Sequence, residues 1–203
     1  VMRSHILGYM RDENLIAKFA EQDAEFSHPH PVAVDCSRTL ALLVHHLVFK
    51  GLSLHNVIKK AMQLAREQRV KAYFNRLDSL PVQSPIEATK LVCFEDDITT
   101  PGYTLKKGGT GVPCNALYTL GAALYVAKHV AGVLPAIQYA IRMGGDVDST
   151  AVVVTALTLA KSVGDPDPNL KEDVQLSELK SGLLFREVIG EIASRYESFV
   201  NSA

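Results

Sequence analysis

Gly144-Gly145-Asp146-Val147-Asp148-Ser149 leads directly into Ser149 to Ala160, a stretch with no charged residue. Two carboxylates and a hydroxyl therefore stand at the mouth of a helix whose composition demands burial. Ionised groups in such a place carry a desolvation cost of several kcal/mol each unless something positive meets them. The glycine pair lets the backbone turn tightly, and oxygens at positions i, i+2 and i+3 can then aim into one pocket. Hard oxygen donors select Mg2+, Ca2+ or Mn2+ over zinc or copper, and no sulfur or imidazole lies beside them in sequence. One reading of Asp146, Asp148 and Ser149 is thus a set of metal ligands. The other is helix capping, with a carboxylate accepting from free N–H groups of the first turn and gaining from the helix dipole.

Three further segments carry groups with chemical potential. In Ser27-His28-Pro29-His30-Pro31 the prolines stiffen an extended stretch and fix the directions of two imidazoles. A two-His metal site there lacks further ligands nearby in sequence, and a structural turn before the next helix is the alternative. Gly108, Gly109, Thr110 and Gly111 precede a helix and could present N–H groups to a phosphate, although no complete phosphate-loop motif is present. Glu95-Asp96-Asp97 lies between proline- and glycine-containing segments and reads as a solvated loop. His45, His46, His55 and His129 fall inside helical patterns without partners in sequence, which suits core or surface positions. Tyr118 belongs to an apolar stripe that reads as core, though its ring could stack on a base.

The elements that must position these groups are helical. Apolar spacing predicts helices over Leu15 to Phe26, Asp35 to Lys50 (closed by Gly51), Ser53 to Arg69 with Ser53 as N-cap, Ile86 to Phe94, Cys114 to His129, Leu134 to Met143, Ser149 to Ser162, and Leu183 to Val200. In the last of these Leu184, Val188, Ile192, Tyr196 and Phe199 form the expected inward face. Prolines and glycines make the region from Leu77 to Gly111 loop-rich. No alternating strand of useful length is visible, so the expected fold class is all-α, a single helical domain over 1–203 without internal repeats.

Taken together these segments resemble the ADP-ribosylglycohydrolase family. In that family a Gly-Gly-Asp-x-Asp-Thr/Ser motif opens a buried helix and donates metal ligands. Val1-Met2-Arg3 resembles the Met-Arg that follows an Asn-Gly-rich loop. Ser27 to Pro31 is similar to the family's Ser/Thr-His-Pro-His-Pro segment, and Gly109 to Leu120 to the glycine-containing loop before the helix that precedes the metal motif. Order and spacing agree from the first residue to about Gly164. The resemblance implies an orthogonal multi-helix bundle, Asp146, Asp148 and Ser149 as metal ligands, and His28, Gly109, Thr110 and Gly111 as substrate-binding residues, with His28 towards the adenine end. The family's upstream Thr-Asp-Asp motif has no counterpart here. The chain opens at Val1 on what resembles the middle of a motif, so it is expected to be the C-terminal two-thirds of a larger domain. The catalytic residues and the other half of a two-metal Mg2+ site (Mn2+ being possible) are then expected in the segment upstream.

The activity the resemblance implies is metal-dependent hydrolysis of the glycosidic bond between ADP-ribose and an acceptor, either a protein side chain or a small molecule. Cleavage builds oxocarbenium character on the ribose, so fixing its hydroxyls and a water is what such a site must do. The serine at position 149 resembles the ADP-ribosylarginine-type branch. The alternative, from another class, is a non-catalytic relative with a crystallin-like structural or a ligand-binding role. Composition adds exclusions. With 203 residues, 47% hydrophobic and 21% charged, the chain can bury a substantial core. A net charge of −1 and no basic stripe argue against nucleic acid and anionic membrane as partners. Cys36, Cys93 and Cys114 are odd in number and widely spaced, as reduced thiols inside a cell would be. No run approaches the roughly 18 consecutive apolar residues of a membrane span and no signal peptide is visible, so a cytoplasmic location is the expectation.

Overall fold

The computed structural model describes residues 1–93, 111–164 and 186–202. After a 3-10 turn, Ser4–Tyr9, the described α-helices are α1 (Glu13–Ser27), α2 (Pro31–Phe49), α3 (Val57–Leu64), α4 (Gln68–Asp78), α5 (Pro85–Val92), α6 (Ala116–His129), α7 (Val133–Met143), α8 (Val147–Gly164) and α9 (Arg186–Ser202). Among the described residues there is no strand, only an isolated parallel bridge between Val112 and Gly145. The all-α expectation holds.

Three of the starts have a local cap. The Asp12 side chain accepts from the amides of Asn14 and Leu15 and so caps α1. His30 caps α2 by accepting from the Val32 amide at 3.3 Å, and Pro31 supplies the preset first helical residue. Asn115 caps α6 through the Leu117 amide at 2.9 Å. The centre is made by α2, α6 and α8, which pack on one another. Residues 117 to 127 of α6 are all buried, and Val153, Val154, Leu157 and Ala160 bring the inner face of α8 into the same core. Tyr118 is fully buried in it, edge-on to Tyr73 with ring centres 5.9 Å apart, so it is a core residue and not a stacking platform. By length and a mean hydropathy of 1.4, α2 could cross a membrane, but 67% of it is buried among the protein's own helices.

Two expectations need correction. The helix expected over Ser53 to Arg69 is broken: a 3-10 turn (Leu54–Asn56) leads into α3, the chain is extended at Ala65, and α4 begins at Gln68. The amides of Arg66 and Glu67 are turned aside to the carboxylate of Asp35 on α2, which periodicity cannot foresee. Ser53 makes no side-chain cap. The second correction concerns α9, whose expected inward face does not point inward. Val188 is 51% and Ile192 62% exposed. Tyr196 is half-buried and donates to the carbonyl of Ile6, while the side chains of Leu184 and Phe199 lie outside the described set.

The histidines divide as composition allows. His45 is buried with Nδ1 2.9 Å from the Met10 carbonyl, whereas His55 is exposed. Desolvation, with nearby lysines adding to it, pulls His46 and His129 below the ordinary histidine value of 6.5. Both then bind a proton more weakly in the fold than in the unfolded chain. The unfolded state takes up more protons as pH falls below that value, so stability is full above it and declines below it. Denaturation midpoints should therefore drop between about pH 7 and about pH 5, and His46→Gln with His129→Gln should flatten the drop. An unchanged slope in the double variant would show that other groups cause it.

Candidate active site

Helix α7 ends at Met143, and the chain passes through Gly144 and Gly145, both at positive φ (75° and 77°), before α8 begins. This turn is stitched to the segment ahead of α6 by two main-chain bonds. The Val112 amide donates to the Gly144 carbonyl at 2.9 Å, and the Asp146 amide donates to the Val112 carbonyl at 2.8 Å. Gly111 and Gly145 cross so closely that a Cβ on Gly111 would stand 2.2 Å from the Gly145 nitrogen, and one on Gly145 would stand 2.1 Å from the Val112 oxygen. The obstacles are backbone atoms, which cannot swing away. Two segments distant in sequence are thus fixed at one point.

At that point Asp146 takes the position just before the first turn of α8, its carbonyl accepting from the Thr150 amide at 3.1 Å. The Asp148 carboxyl is held below the ordinary carboxylate range, first by the Ser149 N–H and then by a hydrogen bond with Asp146. Cys114 adds its thiol, which is pushed up by desolvation and then by the charge of Asp146, to which it also hydrogen-bonds, and by Asp148. The thiol is therefore near the two carboxylates, without forming a group with them that could hold a metal ion. Ser149 is half-buried next to them.

The sequence expectation of a desolvated acidic pair is not met, because Asp148 is exposed and Asp146 only half-buried. The inner face of α8 is buried from Thr150 onward, while its mouth opens at the surface. The capping reading has an observation in its favour, the Ser149 N–H on Asp148. It does not account for the contact between Asp146 and Asp148. Carboxyl groups that close repel unless a proton or a cation lies between them. Hard oxygens in that arrangement fit a divalent ion as part of its ligand set. Among the described residues, however, no group of three or more His, Cys, Asp or Glu side chains that could hold a metal ion is present.

A cavity of about 520 Å3 lies between the Ser27–Pro31 segment and the start of α6. His28, His30, Arg69 and Asn115 are in its wall. His28 meets the Ser27 hydroxyl at 2.9 Å through Nδ1, and Arg3 donates to the same hydroxyl at 2.8 Å while pairing with Asp23. The first and second resembling segments are joined through that hydroxyl. Cys114 is near Asp146, and its chain neighbour Asn115 lines the cavity, so the third and fourth segments are joined through the residues at 112 to 115 and 144 to 146. Gly111 stands at the crossing, while Gly109 and Thr110 lie outside the described residues, as does Glu95-Asp96-Asp97. His30 points its Nδ1 back to its own helix.

Residues 1–160 match the family model for ADP-ribosylglycohydrolase. The chain belongs to the ADP-ribosylglycohydrolase family. The match spans the four resembling segments and ends inside α8. No curated protein and no solved structure matches the chain. The ADP-ribosylglycohydrolase family is one of hydrolases acting on ADP-ribosylated substrates in general. Sequence reading missed two residues that stand at the candidate site. Cys114 was a structural thiol by spacing alone, and Arg69 sat in an unrecognised helix; neither stands near Asp146 or His28 in sequence.

Proposed function

We propose that this ADP-ribosylglycohydrolase relative supplies one side of a metal-dependent site that hydrolyses the bond between ADP-ribose and an acceptor. The observation that supports the reading is the match of residues 1–160 to the ADP-ribosylglycohydrolase model, with Asp146 and Asp148 close together at the mouth of α8 and a cavity of about 520 Å3 before α6. That volume falls within the roughly 300–1,000 Å3 of small-molecule sites. Asp146, Asp148 and the Ser149 hydroxyl would hold Mg2+ or Mn2+. When bound, such an ion supplies charge stabilisation and orients hydroxyls and water. The chain's own residues do the rest: Asp146 is fixed through its amide, His28 and Asn115 line the space for the nucleotide end, and the crossing at Gly111 and Gly145 sets the distance between the two regions.

A ligand-binding role without turnover is the second reading. It is favoured by the lack, among the described residues, of a third acidic or imidazole ligand around the pair. Thermal unfolding with and without Mg2+ separates the two. A cation at about a hundred times its Kd should add about 2.7 kcal/mol to the stability of the chain. Asp146→Asn with Asp148→Asn should abolish that gain, and an undiminished Mg2+ response in the double variant would refute the ligand assignment. Release of ADP-ribose from an ADP-ribosylarginine substrate then tests turnover directly.

A further inference from the structure

The polar side chains around the cavity have given their acceptor atoms to the fold. His30 caps α2 with Nδ1, which accepts from the Val32 amide at 3.3 Å. A main-chain N–H only donates, so the neutral His30 ring carries its proton on Nε2. Asn115 caps α6 with Oδ1, which accepts from the Leu117 amide at 2.9 Å. What it has left is the NH2 group, a donor. Arg69, in the same wall, has no acceptor atom at all. Apart from His28, the other lining side chains are those of proline, valine, alanine and leucine.

His28 completes the set through a relay that begins at Arg3. The Arg3 guanidinium meets the Asp23 carboxylate through Nε at 3.0 and 2.8 Å, and its Nη2 donates to the Asp23 carbonyl at 3.0 Å and to the Ser27 hydroxyl oxygen at 2.8 Å. That oxygen then has one hydrogen to give. Two acceptors face it, His28 Nδ1 at 2.9 Å and the Asp23 carbonyl at 3.4 Å. A cationic donor on the oxygen polarises its O–H bond and makes it a stronger donor in turn. The shorter contact receives the hydrogen, so His28 accepts at Nδ1 and keeps its own proton on Nε2. The side chains of this wall thus offer N–H groups and no acceptor.

We propose that this wall takes its ligand by hydrogen-bond acceptors, and that Arg3, acting through Ser27, is the positioning residue that sets His28 for the task. The inference rests on the ADP-ribose reading of the cavity. Phosphate oxygens and adenine ring nitrogens accept without donating, whereas a donor placed against this wall would leave both partners unpaired. Nitrogen-15 spectra of the histidine side chains in the 203-residue chain test the tautomers without any ligand. His28 and His30 should both carry the proton on Nε2, and Arg3→Gln should move the His28 Nδ1 signal towards that of an unbonded ring nitrogen. A proton on Nδ1 of either ring, or a His28 signal indifferent to Arg3→Gln, overturns the positioning. Isothermal titration with ADP-ribose, adenosine and ribose 5-phosphate tests the selection. Asn115→Asp keeps the capping oxygen and replaces the donor by an acceptor, so the melting temperature should hold while ADP-ribose binds about tenfold more weakly or worse. A loss shared by adenosine puts the acceptors on the base and one shared by ribose 5-phosphate puts them on the phosphate; either upholds the proposal. Undiminished ADP-ribose binding in Asn115→Asp overturns the selection and leaves the ADP-ribose reading standing. An unaltered chain that binds none of the three overturns that reading and the selection with it.

Discussion

Gly145→Ala should cost about 3–5 kcal/mol of stability and lower the melting temperature by about 10 °C. A φ of 77° is already unfavourable for a residue with a side chain. The larger part comes from contact, since the added methyl would lie 2.1 Å from the Val112 oxygen and 2.4 Å from its nitrogen. Relief requires the two main-chain bonds between the segments at 112 and 144–146 to lengthen or break. The acidic pair would then lose its register against Cys114, so the Mg2+ response should fall together with stability. A loss below about 1 kcal/mol, read from urea denaturation, would mean that the crossing is softer than its geometry implies.

Asp35→Ala is the second large effect, at about 3–5 kcal/mol. Removing the carboxylate strands the amides of Arg66 and Glu67 and leaves Arg38, 8% exposed, with Glu21 and the Leu64 carbonyl as its remaining partners. A buried cation that loses one of its two counter-charges costs more than that pair contributes when intact. Asp35→Asn keeps the shape and one acceptor oxygen and should cost about half as much. Denaturant midpoints for the two variants give the comparison; equal midpoints would show that the shape and the one retained acceptor contribute nothing without the negative charge.

What was legible in the sequence follows from how far each cause reaches. The start of α8 could be read because the acidic pair, the glycines and the apolar run are contiguous. The His-Pro segment and the onset of α2 were legible for the same reason, with Pro31 at the first helical position. The break at Ala65 to Glu67 was not, because Asp35 acts on it from another helix. Helix α4 does carry apolar residues at 70, 73, 74 and 77, a helical spacing obscured when the preceding pattern was extended to Arg69. In α9 the spacing correctly implied a helix, but periodicity alone does not say whether a partner covers the apolar side, and here Val188 and Ile192 are open to solvent. The acidic pair was legible in the site, whereas its meeting with Cys114 depends on the crossing of two glycine segments and has no local signature.

The tether at Val112 is formed by the peptide group of Asp146, not by its side chain. Amidation of that carboxyl therefore removes charge while the loop stays anchored where it was. Biochemical comparisons between aspartate and asparagine at this position consequently isolate the electrostatics of the oxygens from any dislocation of the chain that bears them.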